Sequence, residues 1–304
     1  MMISLNKIAH STAFCSGRYR RTAPLAAKQH SERFSFRLHV PYAQKGMVIK
    51  MKKQIAMITV LMALLLTAWT ASAENLNIGV LCYHSITDNP LKYSQYCISA
   101  EEFEDDIRYF SENGYTFLKP CEMWNADPNA KNIVITSDDG YDDFYECAFP
   151  ILKKYNAKAA VYVIGTKIDK HGYLKSEQIK EMDASGLVEI GNHTTIMHKR
   201  SNRTLRNYFD DETMLNEYVE DIKDCSARIY GILGHGTESF SYPYGLYTDR
   251  LERTIRTNLG YTTTFTTNYG LVRTQEDILS PMKRIYRVHG DQPQDMADKI
   301  NSLK

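Results

Sequence analysis

Four short segments carry side chains that titrate, ligate or frame a backbone donor. Residues 133–141 read Ile-Val-Ile-Thr-Ser-Asp-Asp-Gly-Tyr, an apolar β-branched run that stops at two adjacent carboxylates, Asp138 and Asp139. Neighbouring carboxylates repel unless a cation neutralises one of them. The same letters also spell a plain Asp-Gly turn with a capping Asp. In Gly191-Asn192-His193-Thr194-Thr195-Ile196-Met197-His198, two imidazoles lie five residues apart. That spacing does not share a helix face, but a loop can bring both to one ion. Two imidazoles and one carboxylate, with positions left open, form a ligand set for catalytic zinc or a similar divalent ion. In Phe240-Ser241-Tyr242-Pro243-Tyr244-Gly245, Pro and Gly bracket Tyr244 and can hold its backbone N–H outward toward an oxyanion. A β-turn with a packed aromatic is the other reading. His84, in Leu81-Cys82-Tyr83-His84-Ser85-Ile86, can protonate a leaving group or serve as a satisfied buried histidine.

All four segments follow predicted strands. Short apolar runs at 78–82, 115–118, 133–137, 159–164, 188–191, 240–242, 262–267 and 285–288 read as strands. Between them, residues 100–112, 145–155, 176–184, 205–230, 247–258 and 293–303 have helical spacing, with Gly231 as the stop of the fourth helix. Regular β-α alternation predicts a parallel sheet with helices outside. Eight strands in roughly 230 residues predict a distorted (β/α) barrel of about seven to eight strands in a single catalytic domain. Barrel active sites form at the carboxyl ends of strands, where Asp138, Asp139, His84 and the histidine pair all fall.

The chain has 304 residues, and its first 50 are basic and lack periodicity. Met51-Lys52-Lys53, the apolar run from Ile55 to Trp69 and Ala71-Ser72-Ala73 have the three-part anatomy of a secretory signal peptide. Residues 1–50 are therefore expected to be a spurious upstream extension, 51–73 a signal peptide, and 74–304 the domain. The product would be secreted, periplasmic or at the cell surface, and would meet a membrane only if the leader stayed uncleaved. Residues 1–73 hold eleven Lys or Arg and one acid; removing them from totals of 37 and 36 leaves 26 basic and 35 acidic residues, a formal charge of −9. No nucleic-acid footprint is present. Five cysteines follow the leader (Cys82, Cys97, Cys121, Cys147 and Cys225) with no CxxC spacing; an oxidising destination allows one or two disulfides.

Together the four segments resemble the polysaccharide deacetylases of the NodB-homology group, carbohydrate esterase family 4. The resemblance runs from about Ile78 to Lys299. The Tyr-His-Ser-Ile opening and the histidine spacing look most like the branch of poly-β-1,6-N-acetylglucosamine deacetylases. It implies that Asp139, His193 and His198 hold the metal and that Asp138 is the base. It also implies that the Tyr244 N–H stabilises an oxyanion and that His84 is the acid, with His289 a second candidate. The chain departs from the family pattern at Ser137, where Phe is usual, and at Ser241, where Arg usually tethers the base; Arg284 is the expected substitute. The implied cofactor is one divalent ion, zinc foremost, with cobalt, nickel or iron as alternatives. The implied partner is an acetylated polysaccharide or oligosaccharide, and the implied reaction removes acetyl groups from its amino sugars. An O-acetyl esterase on xylan or another acetylated glycan, or a catalytically silent glycan-binding protein, are the rival readings. Tyr242, Tyr244 and Trp124 are the exposed aromatics expected to stack on sugar rings.

Overall fold

Parallel strands dominate the architecture, as the β-α alternation predicts. The computed structural model describes residues 50, 52–59, 75–89, 95–199 and 211–304. The chain divides into two units, Met1–Trp69 and Thr70–Lys304. In the first, residues 52–59 form an exposed helix. No helix among the described residues is long and apolar enough to cross a membrane. The remainder of the expected leader, and residues 1–49 upstream, lie outside the described residues.

In the second unit the order is β1 (Gly79–Tyr83), β2 (Ser85–Ile86), β3 (Cys97–Ile98), α1 (Ala100–Glu112), β4 (Tyr115–Leu118), β5 (Lys131–Ser137), α2 (Phe149–Tyr155), β6 (Ala159–Val163), α3 (Ser176–Ala184), β7 (Val188–Asn192), α4 (Glu212–Leu233), β8 (Ser239–Ser241), α5 (Asp249–Leu259), β9 (Thr263–Tyr269), α6 (Gln275–Ile278), β10 (Met282–Tyr286) and α7 (Pro293–Ser302). Seven strands close a barrel in the order β1-β10-β9-β8-β7-β6-β5, with β5 returning to β1. The eighth expected strand, β4, stays outside the ring. It pairs with β5 at residues 131–134, whereas β6 pairs with β5 at residues 135–137. The small β2–β3 pair was not expected from sequence.

Helix ends follow their capping chemistry. Ser99 and Glu102 form a reciprocal capping box that starts α1. α4 passes through Gly231 and ends at Gly234, whose φ of 79° suits a left-handed cap. The expected stop at Gly231 is thus corrected, and residues 205–210 of that expectation lie outside the described set.

The barrel interior changes character along its axis. Val80, Val134, Ala160, Tyr162, Phe265 and Met282 pack as one apolar cluster. A Cβ at Gly191 would lie 2.2 Å from the Tyr162 ring, so this strand position must be glycine for Tyr162 to fill the barrel. Two residues further along the inward faces of β5, β8 and β10 come Thr136, Ser241 and Arg284, all fully buried. Opposite faces pack outward: Leu81, Ile133, Ile135, Val161 and Ile190 meet the helices in the largest cluster. Apolar side chains thus fill one end of the barrel and polar ones gather at the carboxyl rim.

Candidate metal centre and active site

Asp138 continues the inward alternation of β5, and its N–H bonds Tyr83 O at 3.0 Å. Asp139 leaves the strand pattern because its backbone is left-handed (φ 75°). Gly140 follows at φ 69°, where a Cβ would stand 3.1 Å from the Val163 backbone. Asp139, Thr194 and Tyr244 are three of the six non-glycine residues with positive φ among the described residues. Strain of this kind, concentrated at one rim, marks a site held by its surroundings.

Asp139 Oδ1 lies 3.1 Å from His198 Nε2 and 3.6 Å from His193 Nε2. It is buried and receives no hydrogen bond from the described residues. His193 Nδ1 is 2.7 Å from the Ser241 carbonyl, which fixes the proton there and leaves Nε2 with its lone pair. Burial pushes His193 down to about 4, so the ring is neutral over the ordinary range. A lone pair therefore faces a carboxylate with no proton between them, which is unfavourable until a cation joins the set. The separations match the edge of a tetrahedron built on zinc–ligand bonds of ~2.0–2.1 Å, roughly 3.3 Å. These three residues fit a divalent metal ion.

Asp138 does not join them. Arg284 grips it with two parallel bonds, Nη1 to Oδ1 at 2.8 Å and Nη2 to Oδ2 at 2.7 Å. Ser241 donates to Oδ2 at 3.1 Å and accepts from Arg284 Nη2 at 3.1 Å. Arg284 is itself fixed by Thr266 O and Thr136 Oγ1. Burial alone would raise the Asp138 pKa, but Arg284 outweighs it and holds the carboxyl well below the usual carboxylate range. Ser241, read in the sequence only as a departure, thus touches both the carboxylate and the histidine. Ser137 likewise ties β5 to the next rim segment by donating to the His84 carbonyl at 2.8 Å.

His84 lines a cavity of about 460 Å³ with Tyr96, Asp139, Tyr141, Asp142 and Tyr173. Its Nδ1 is buried without a partner among the described residues, and its ring packs against Tyr96 and Tyr286. A ring nitrogen of His84 and an Asp138 oxygen lie within 4.8 Å of each other. His289 is elsewhere: it does not line this cavity, and its Nδ1 meets Glu102 at 2.8 Å beside the start of α1. Tyr244 stacks on His198 with ring centroids 5.0 Å apart, and its hydroxyl donates to His198 O. Its own N–H has no acceptor among the described residues.

Tyr242 is a correction. Because Ser241 faces inward, Tyr242 faces outward, fully buried, and its hydroxyl bonds Glu252 at 2.5 Å. Trp124 packs against the far, apolar cluster of the barrel. All five described cysteines are free, so the allowed disulfides do not form among the described residues. Asp221, absent from the sequence reading, gathers three backbone N–H groups of the loop that carries His198. An acid on the apolar face of α4, between Tyr218 and Ile222, was the signal that marked it.

Fold and site define a class: a parallel barrel whose carboxyl rim holds a fitting Asp-His-His metal set beside an arginine-clamped carboxylate. Residues 125–264 match the model of the polysaccharide deacetylase family. It is 32% identical over 189 residues to Bacillus subtilis YxkH, which carries the family's name, spanning 60% of this chain and 62% of that protein. It is 26% identical over 165 residues to a poly-β-1,6-N-acetyl-D-glucosamine N-deacetylase of Staphylococcus aureus, spanning 51% and 56%. The matches thus span under two thirds of either relative's length. The structure of IcaB from Ammonifex degensii superposes with a TM-score of 0.64 at 28% identity, covering 73% of this chain and 97% of that one.

Proposed function

We propose that this chain is a metal-dependent hydrolase that removes acetyl groups from the N-acetylated amino sugars of a polysaccharide, poly-β-1,6-N-acetylglucosamine being the first candidate. One observation carries the reading: the orphaned Asp139 Oδ1 faces two imidazole nitrogens beside a carboxylate that Arg284 keeps ionised. Asp139, His193 and His198 would hold the ion, zinc foremost. A divalent cation there supplies Lewis acidity, making water acidic enough to attack near neutral pH and drawing charge from an acyl oxygen.

The chain's own residues supply the rest. Asp138 takes the proton of the attacking water, a task its clamp suits because the carboxylate is never lost to protonation in the working range. Arg284 and Ser241 orient it without entering the reaction. The N–H of Tyr244, without an acceptor among the described residues and turned out by a left-handed backbone, donates to the oxygen on which charge develops. His84 gives a proton to the departing nitrogen, since an amine leaves poorly unprotonated. Burial pulls His84 below its ordinary 6.5, against the upward push of Asp138 and Asp139. An acid with that pKa loses its proton as pH rises through it, so the rate on amides should fall on the alkaline side.

The leader pattern supports export, with N-terminal sequencing of the exported product expected to start near Glu74. The substrate reading is tested by acetate release from β-1,6-linked N-acetylglucosamine polymer, chitooligosaccharide and acetylated xylan. Release from an amino-sugar polymer is expected to exceed release from xylan. Release from xylan alone would make the chain an ester hydrolase, and release from none would leave a binding protein.

A further inference from the structure

His193 and His198 are held in different ways. His193 is almost fully buried and its own ring nitrogen is pinned to Ser241 O. His198 keeps about a quarter of its side chain exposed, and its ring nitrogens meet only Asp139 among the described residues. Beyond the Tyr244 ring stacked on it, the position of that ring depends on its backbone. The backbone from 194 to 199 runs through a left-handed Thr194 into a single 3-10 turn, Met197–Lys199. Such a turn leaves its leading N–H groups without internal partners. One carboxylate collects the first of these, from Met197, and those of the two residues before it. Asp221 Oδ2 accepts from Thr195 N at 2.8 Å and from Met197 N at 3.4 Å, and Ile196 N reaches both oxygens at 3.0 and 3.2 Å. The Thr195 hydroxyl adds a bond to the Asp221 carbonyl at 2.9 Å.

We propose that Asp221 is a positioning residue for the metal centre: from the middle of α4 its carboxylate fixes residues 195–197 and thereby the reach of His198 toward Asp139. The proposal rests on the reading of Asp139, His193 and His198 as metal ligands. Asp221 stands outside the Asp139-His193-His198 set, so its expected effect is on affinity for metal and not on the chemical step.

The test uses the full chain stripped by chelator and titrated with zinc against a competing chromogenic chelator. Asp221→Asn, which leaves one acceptor oxygen for three donors, should weaken zinc binding about tenfold. Asp221→Ala should weaken it by up to about 100-fold, the range for losing a partner that orients a ligand. Hydrogen exchange at amides 195–197 should quicken in both, and saturating zinc should restore kcat. Where Asp221→Ala does not fold, Asp221→Asn carries the comparison. A folded Asp221→Asn protein that loses thermal stability but binds zinc as tightly as wild type would overturn the inference and leave the proposed function standing. Failure of the wild type to bind zinc or any other divalent ion would instead remove the metal reading beneath it.

Discussion

Arg284 and Arg287 stand three residues apart, and each buries an ion pair with an aspartate, yet the two pairs are built for different ends. Arg284 points into the barrel and grips both oxygens of Asp138, which also receives the Ser241 hydroxyl. Arg287 points outward to α1, where its Nε meets Asp106 Oδ2 at 2.6 Å and the Tyr83 hydroxyl meets the same oxygen at 3.1 Å. Asp106 Oδ1 is buried with no partner among the described residues. Burial acts to raise both carboxylates. At Asp138 it is outweighed, and the group stays ionised. At Asp106 it wins, and the group is pushed up to about 6. The number of donors per oxygen thus separates a carboxylate fit for catalysis from one that only joins a helix to the barrel wall.

The largest expected effect comes from breaking the inner pair. Arg284→Met strands a buried carboxylate, which should cost about 3–5 kcal/mol of stability. It should also cost ~10²–10⁴-fold in turnover, because a protonated Asp138 is no base. Chemical denaturation and acetate release on the same preparation read both. A variant that unfolds more easily but turns over normally would deny Asp138 its role. Arg287→Met should be the milder counterpart, since Asp106 can escape its unpaired charge by taking a proton. Stability should fall while kcat per folded molecule stays near wild type.

Smallest and most specific is a pH effect. Asp106 has its ordinary value of 3.8 when unfolded and about 6 when folded. The folded state therefore binds the proton more tightly, so this group's contribution is full below about 3.8 and lost as pH rises through about 6. Asp106→Asn should flatten the decline of stability between those pH values. A wild-type slope in that variant would contradict the account of the outer pair.

The barrel was legible because its strands are mostly short apolar runs, four of them followed by the site segments, and β4, β5 and β6 lie within two residues of where the pattern put them. Arg284 was found through the resemblance, but its partner's geometry depends on strand parity. The same parity turns Tyr242 away from the site where a bare motif had left it exposed. Asp106 and Arg287 lie 181 residues apart, and nothing local joins them. Both Asp106 and Asp221 nevertheless left one trace, an acid on an otherwise apolar helix face. A buried acid there requires a partner, and that requirement does not say whether the partner serves stability or the loop that carries His198. Gly231 misled because a glycine within a helix costs only ~1 kcal/mol relative to alanine, and the left-handed cap lies three residues on.

The central claim is that Asp139 holds a metal while its neighbour Asp138 moves a proton. Metal content by elemental analysis and acetate release, measured together on wild type, Asp139→Asn and Asp138→Asn, test it most directly. The account predicts that Asp139→Asn loses metal and activity together, whereas Asp138→Asn keeps one equivalent of metal and loses ~10²–10⁴-fold in turnover. Stoichiometric metal in Asp139→Asn, or metal lost from a folded Asp138→Asn, would contradict it.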